Sequence, residues 1–395
     1  MKERYDVIVV GAGPAGSTAA WSAARLGAKV LVLDRRRELG VPVQCGEALN
    51  EDILKELGIS PDPKWALNKT NAVKLVSPSG TEVRIAEKKL TGKAGYILDR
   101  KIFDKYLATL AAKAGADFMV GALVTGLLME DNKPMGVEGI GIGGRFEFFS
   151  DVIIAADGIG SRVARWAGIP TNLKLSDIES GVQFQMVGVD FESPEMMEFY
   201  FGSRIAPGGY AWIFPKGDDI ANVGLGVLGS RAERPAIEYL RAFVEKMPNL
   251  KKGKIIEINA GGVPVSGPLK KTVKSGLMVV GDAARQVNPL TGGGIDSAMR
   301  AGSIAGEVAA KAVREGDTSE KRLAEYERRW RELMGRRLER YLKAKEVFVS
   351  LTDEDLDRLA KALSEVKFEG ISLTEILRVL VRAHPRLLWK LRRLL

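Results

Sequence analysis

Tyr5-Asp6-Val7-Ile8-Val9-Val10-Gly11-Ala12-Gly13-Pro14-Ala15-Gly16 decides how the rest of the chain is read. The first half is a β-branched run of the kind that fills a buried parallel strand. The second half sets glycines at 11, 13 and 16, and Ser17 to Leu26 follows as an alanine-rich helix former. Gly27 stops that helix, Lys29 to Leu33 reads as a second buried strand, and Asp34 ends it. The spacing predicts a minimal βαβ unit with a dinucleotide on its turn. Gly11 permits the tight turn, Gly13 lets the backbone approach a pyrophosphate, Gly16 lets the helix pack on the strand, and the helix N-terminus faces the phosphate charge. Asp34 stands where an acid accepts hydrogen bonds from an adenosine ribose, which speaks against a 2′-phosphorylated adenosine there. Arg35, Arg36 and Arg37 read as a solvated turn after the strand.

Composition narrows the classes around that unit. A chain of 395 residues with 46% apolar and 28% charged residues is folded, and its length predicts two or three domains. One cysteine, Cys45, cannot close an intrachain disulfide, and Cys45 with His384 cannot supply the ligands of a structural zinc, so no metal is expected. The uncharged stretch Val7 to Ala24 is interrupted by Gly11, Gly13, Pro14 and Gly16, which fits neither a membrane span nor a signal peptide and predicts a cytoplasmic protein. The net charge of +9 thickens at the end, where residues 381–395 hold Arg382, Arg386, Lys390, Arg392 and Arg393 and no acid. Elsewhere bases alternate with acids, so nucleic acid is not an expected partner, and a lipid surface comes first. Leu387, Leu388, Leu391, Leu394 and Leu395 form one helical face beside Arg386, Lys390 and Arg393. That segment reads either as a helix packed on its domain or as a peripheral helix on the inner face of the membrane.

Two later strands carry the argument to the whole chain. Asp151 to Ala156 is capped by Asp157-Gly158 and Ser161-Arg162, and Gly276 to Val280 by Gly281-Asp282-Ala283-Ala284. An N-terminal GxGxxG, a mid-chain Asp-Gly and a late Gly-Asp together resemble the flavoproteins of the p-hydroxybenzoate hydroxylase type. Within them the chain is most similar to the geranylgeranyl reductases, in particular the archaeal digeranylgeranylglycerophospholipid reductases, over nearly its full length. The resemblance implies FAD held by Gly11, Gly13, Ala15, Gly16, Asp34, Cys45, Gly46, Ala48, Arg100 of the Leu98-Asp99-Arg100 element, Val124, Asp282, Gly294 and Ile295. The run Thr291 to Gly294 precedes an Ala/Gly-rich helix from Ile295 to Ala310, whose free amides can stabilise negative charge on a reduced flavin ring. Close packing of helix on strand is the other use of those glycines.

The same resemblance covers Tyr210-Ala211-Trp212-Ile213-Phe214-Pro215-Lys216-Gly217, similar to the family's aromatic-x-Trp-x-Phe-Pro-x-Gly motif. On a strand, Tyr210, Trp212 and Phe214 share one face, an apolar wall suited to a polyprenyl chain or simply to a core. Pro215 and Gly217 are taken with them as substrate residues, and Arg337, beside Arg336, as a headgroup contact that the sequence does not separate from a solvated helix face. Gln44-Cys45-Gly46-Glu47-Ala48 resembles the family's Cys-Gly-Glu element and puts Cys45 near flavin and substrate, with no assigned role. The implied reaction is reduction of isolated double bonds in a geranylgeranylated phospholipid or geranylgeranyl diphosphate, with NAD(P)H or ferredoxin as electron donor. An alkene has no carbonyl to polarise, so the absence of histidine before His384 is no obstacle, and the proton would come from Tyr, Cys, carboxylate or water. A flavin monooxygenase acting on an aromatic substrate, and a flavin-carrying membrane-surface protein without turnover, are the rival readings.

The expected architecture is α/β: a discontinuous Rossmann-like FAD domain (1–50, 96–170, 272–315), an inserted mixed-sheet substrate domain (51–95, 171–271) and a C-terminal helical domain (316–395). Thr318 to Lys345 reads as one long charged helix with Leu323, Tyr326, Trp330, Leu333, Met334, Leu338, Tyr341 and Leu342 inward, and Thr352 with Asp355 as the cap of the next.

Overall fold

The computed structural model describes residues 3–86 and 95–365, and these divide into two compact units. His384 and the basic segment 381–395 lie outside the described residues.

The first unit comprises residues up to Pro42, Arg100–Leu173 and Pro264–Glu339. Arg4–Val10 lies inside an eight-stranded sheet, in the order Val273–Lys274, Leu277–Val279, Gly144–Ala155, Arg4–Val10, Val30–Asp34, Asp117–Val120. The last five of these run parallel, in register through Val7 with Val152 and with Val30. Leu123–Glu130 and Lys133–Gly141 continue antiparallel from Gly144–Ala155. Strands buried on both sides must be apolar throughout, and alternation deals their residues to two cores. Val7, Val9, Val32 and Ile154 pack with the alanines of two helices, Pro14–Arg25 and Ile295–Glu315. Ile8, Val10, Leu33 and Ile153 pack on the other side with Val163 and Ala164.

The first helix begins at Pro14, three residues before the alanine run that signals it, because proline at the first helical position has its φ preset and no amide to leave unpaired. The two helices meet backbone to backbone: a Cβ on Gly302 or Gly306 would stand 2.2 Å from the Ala15 carbonyl or 2.1 Å from that of Ala19. The charged helix expected over 318–345 is interrupted. It runs Glu320–Trp330, widens into a π turn at Arg331–Gly335 and resumes as Arg336–Val349. The wider turn keeps Trp330, Met334 and Leu338 buried and turns Leu333 out to 57% exposure, so Leu333 is not an inward position. Trp330 Nε1 donates to Thr272 Oγ1 (3.1 Å) and the Tyr326 hydroxyl to the Val279 carbonyl (2.7 Å), fastening this helix to the first unit.

The second unit comprises Val43–Asp99, Lys174–Val263 and the chain from Arg340. Its seven-stranded sheet has the order Lys254–Pro264, Ile178–Val187, Ile220–Leu228, Tyr210–Gly217, Met196–Tyr200, Ala72–Val76, Glu82–Ala86. A three-stranded sheet is formed by Ala48–Asn50, Gly95–Leu98 and Ala66–Thr70. One face of the larger sheet is aliphatic apart from Phe184: Val182, Phe184, Ala211, Ile213, Val223 and Leu225 pack against Tyr239, Leu240 and Phe243 of the helix Ala236–Lys246. The other face has a different composition. In the following helix, Asp353–Ser364, Thr352 and Asp355 form the capping box their spacing predicts.

Candidate active site

In the first unit the turn after Arg4–Val10 is shaped as its glycines require. Gly11 has φ +102°, and a Cβ there would lie 2.3 Å from the Ala156 carbonyl oxygen. A Cβ on Gly16 would strike the Gly11 carbonyl, whereas one on Gly13 would meet nothing within 4 Å. Gly11 and Gly16 are therefore held by the protein's own packing, while the backbone at Gly13 borders open space that a phosphate can approach. Asp34 closes the turn: its Oδ2 accepts from the Ala12 amide and its Oδ1 from the Arg36 amide, both at 2.8 Å. Each oxygen keeps a lone pair for a ribose hydroxyl.

Ala15 meets the late Gly-Asp strand end, since a Cβ on Gly281 would be 2.8 Å from the Ala15 methyl. Gly294 caps the helix Ile295–Glu315, and a Cβ on it would stand 3.4 Å from Asp282 Oδ1, so Asp282 lies at that helix N-terminus. Burial pushes the Asp282 carboxyl up, and Arg100 pulls it partly back. Arg100 opens the helix Arg100–Lys113 and is held by two hydrogen bonds to Asp104, at 2.7 and 2.9 Å. The first unit thus gathers Gly11, Gly13, Ala15, Gly16, Asp34, Asp282, Gly294 and Ile295, with Arg100 acting on Asp282. Val124 is buried in the core with Leu31 and Leu33. An open glycine turn, a helix N-terminus and a ribose acid fit the dinucleotide of FAD.

Cys45, Gly46 and Ala48 belong to the second unit, in the segment leading into the strand Ala48–Asn50. That segment lies on the non-aliphatic face of the larger sheet, which Tyr210, Trp212 and Phe214 line. Tyr210 and Trp212 have ring centroids 5.9 Å apart, Trp212 and Phe214 are stacked at 5.9 Å, and Phe199 meets Tyr210 and Phe214 edge-on at 5.4 Å each. The neighbouring strand makes room. Gly224 faces Trp212, and a Cβ there would come within 2.4 Å of the indole. Gly46 closes on the same rings, its Cβ position 3.3 Å from Phe214 and 3.7 Å from Trp212. Pro215 pairs with Ala221 of the aliphatic core, its carbonyl accepting from Asn68 Nδ2 (2.8 Å), and Gly217 sits at the turn into Ile220–Leu228. Arg337 is an exposed residue of Arg336–Val349, in the first unit.

Several polar residues on the aromatic face were not singled out by sequence reading. Glu47, 2% exposed, pairs with Lys216 (2.7 Å) and accepts from Asn222 Nδ2 (2.6 Å). This network holds Glu47 at φ +71°, a backbone state that favours glycine, and ties the Cys-Gly-Glu segment to the aromatic strand. Cys45 Sγ accepts from the Glu47 amide (3.2 Å). Gln183 accepts the Trp212 Nε1 proton (3.0 Å), leaving its own Nε2 without a hydrogen-bond partner among the described residues, as is Asn222 Oδ1. Glu179, one turn of the pleat beyond Gly181, places a carboxylate oxygen 2.9 Å from the Cβ position of Gly226, the residue paired with Tyr210. Glu47 and Lys216 stand inside recognisable motifs, which is a usable signal. For Gln183, Asn222 and Glu179 the only signal is a glycine-and-polar alternation at every second residue.

Comparison with known proteins agrees with this geometry. The geranylgeranyl reductase catalytic domain matches residues 177–263, which include the aromatic strand, and the FAD dependent oxidoreductase family matches residues 6–204. Digeranylgeranylglycerophospholipid reductase 1 of Methanococcoides burtonii is 50% identical, covering 99% of this chain and 95% of its own. The enzyme of the same name from Methanothermobacter thermautotrophicus is 49% identical, covering 100% and 99%. Among solved structures, a geranylgeranyl bacteriochlorophyll reductase-like protein of Thermoplasma acidophilum superposes with a TM-score of 0.94 at 39% identity over 100% of both chains. A flavin-dependent brominase, at 19% identity and a TM-score of 0.72, shares the fold alone. A glycine turn built for FAD and an aromatic sheet face, on a chain half identical to these reductases, make this protein a member of the geranylgeranyl reductase family of FAD-dependent oxidoreductases.

Proposed function

We propose that this protein reduces the isolated double bonds of geranylgeranyl chains on archaeal glycerophospholipid precursors. The observation that carries the reading is the aromatic face itself: three rings in line, opened by Gly224 and Gly226 and bounded by Gly46. A polyprenyl chain offers only carbon, so it is held by shape and burial, and a ring-lined surface supplies both. FAD, when bound and reduced, would supply the hydride chemistry for one alkene carbon. The chain's own residues do the rest. Gly11, Gly13, Asp34, Asp282 and Gly294 hold the dinucleotide, and Trp212 and Phe214 exclude water from the alkene. The Glu47–Lys216 pair keeps Cys45 and Gly46 against the rings. An NAD(P)H- or ferredoxin-type donor recharges the flavin. The basic segment 381–395, outside the described residues, supplies a peripheral contact with the anionic lipid surface.

Two experiments test this. With the flavin reduced anaerobically, a geranylgeranyl lipid reoxidises it and a fully saturated lipid does not. Trp212→Ala raises the lipid concentration for half-maximal reoxidation roughly tenfold or more, since it removes the largest ring of the wall. Equal reoxidation by both lipids, or an unchanged concentration dependence in Trp212→Ala, would count against the reading.

A further inference from the structure

We propose that Glu179 is the acid that protonates the alkene on the aromatic face, an inference that rests on the reading of that face as the prenyl site. Reduction of a double bond needs a hydride at one carbon and a proton at the other: the π bond breaks, two C–H bonds form, and the acid is left as its conjugate base. The hydride, which carries both electrons, would come from reduced flavin, and the acid recovers its proton from solvent.

The groups on this face leave few donors. Tyr210 is pushed far above the ordinary phenol range by burial and by the Glu179 charge, so it holds its proton tightly. Glu47 is engaged by Lys216 at 2.7 Å and by the Asn222 amide at 2.6 Å, so its carboxyl group is already tied down within the protein. Glu198, on the other side of its strand, is paired with Lys74 at 2.8 Å. Glu179 differs from all of these. It is 7% exposed, and its carboxylate lies over the bare backbone of Gly226, the residue paired with Tyr210, on the face the rings line. Burial raises its carboxyl to about 7, the range in which an acid both holds and releases a proton near neutrality. The charged group that acts on it is Lys345, from the helix Arg336–Val349, which lowers the Glu179 carboxyl. The Lys345 ammonium is itself pushed down by burial, with Asp177 and Glu346 acting in the opposite sense, and its Nζ donates to the Ser176 carbonyl (3.0 Å). Gly181 and Gly226, the residues between Glu179 and Tyr210 across the sheet, carry no charge.

The test uses the FAD-loaded protein, reduced chemically and mixed anaerobically with geranylgeranyl lipid vesicles. In the unaltered protein, lipid-dependent reoxidation falls as pH rises through about 7. Glu179→Gln, isosteric with the protonated acid, retains FAD and undergoes chemical flavin reduction normally, but reoxidises about 100-fold more slowly or worse, with that limb of the pH profile gone. Infrared difference spectra across the same pH range show the loss of a protonated carboxyl band, absent from Glu179→Gln. An unaltered rate and profile in Glu179→Gln, or a flat profile in the unaltered protein together with no carboxyl band, overturns the proposal. Where Trp212→Ala weakens lipid dependence while Glu179→Gln is unaffected, only the proton source is wrong. Where Trp212→Ala is also unaffected, the prenyl site itself is wrong. Should Glu179→Gln not retain FAD, the pH profile and the infrared band of the unaltered protein decide.

Discussion

At the scale of single residues, the glycines of the dinucleotide turn separate structural need from ligand need. Gly13→Ala leaves the melting temperature nearly unchanged, since its methyl enters open space, but cuts FAD retention. Gly16→Ala lowers the melting temperature as well, because its methyl collides with the Gly11 carbonyl. Thermal unfolding and flavin absorbance of the two variants check this, and equal melting with equal FAD in both would refute it. Glu179 gives a second residue-level expectation. Its folded-state carboxyl, about 7, stands above its ordinary value of 4.5, so its contribution to stability is whole below about pH 4.5 and is lost as pH rises through about 7. The loss is about 3 kcal/mol at most. Denaturant unfolding at a series of pH values shows that decline, and Glu179→Gln flattens it. The glycines were legible in the sequence because their spacing encodes a turn that few other residues can make. Glu179 was not, since the glycine-and-polar alternation around it does not single out one residue, and its burial arises from strands and a helix far away in the chain.

At the scale of elements, the strand Tyr210–Gly217 and the segment Gln44–Ala48 act together. The expectation that Tyr210, Trp212 and Phe214 share a face agrees with the ring contacts, because period two is a property of any strand. What period two cannot reveal is the bond between the two motifs. Lys216 and Glu47, 5% and 2% exposed, form a buried ion pair across 169 positions of chain. Lys216→Ala removes the ammonium facing the buried Glu47 carboxylate, and destabilises the protein by about 3–5 kcal/mol. The double variant Glu47→Ala/Lys216→Ala loses much less than the sum of the single variants, as chemical denaturation of all four proteins measures. Strict additivity would show the pair to be uncoupled. The π turn at Arg331–Gly335 was equally hidden. Apolar residues at Trp330, Leu333 and Met334 suit a regular helix, and the burial of Trp330, Met334 and Leu338 against the first unit selects the wider turn.

At the scale of the whole molecule, the α/β class and the discontinuous dinucleotide fold were legible because three strand ends, Gly11–Gly16, Asp157-Gly158 and Gly281-Asp282, together resemble those of a known flavoprotein type, and in the structure their strands are parallel neighbours in one sheet. Which strands pair in the second unit could not be read, as the segment 40–98 lacks strong periodicity and its strands are fixed by distant partners such as Met196–Tyr200. Among the described residues no helix is long and apolar enough to cross a membrane. Deleting residues 386–395 tests the proposed surface contact: co-sedimentation with anionic vesicles falls, while FAD content is unchanged. Reduction of the prenyl double bonds is measured by mass spectrometry of a digeranylgeranylglycerophospholipid after anaerobic mixing with the chemically reduced, FAD-loaded protein. Such reduction gives lipid that has gained two hydrogens for each flavin reoxidised. Unchanged lipid with the flavin still reduced, or turnover that appears only with oxygen and adds oxygen to the product, would contradict it.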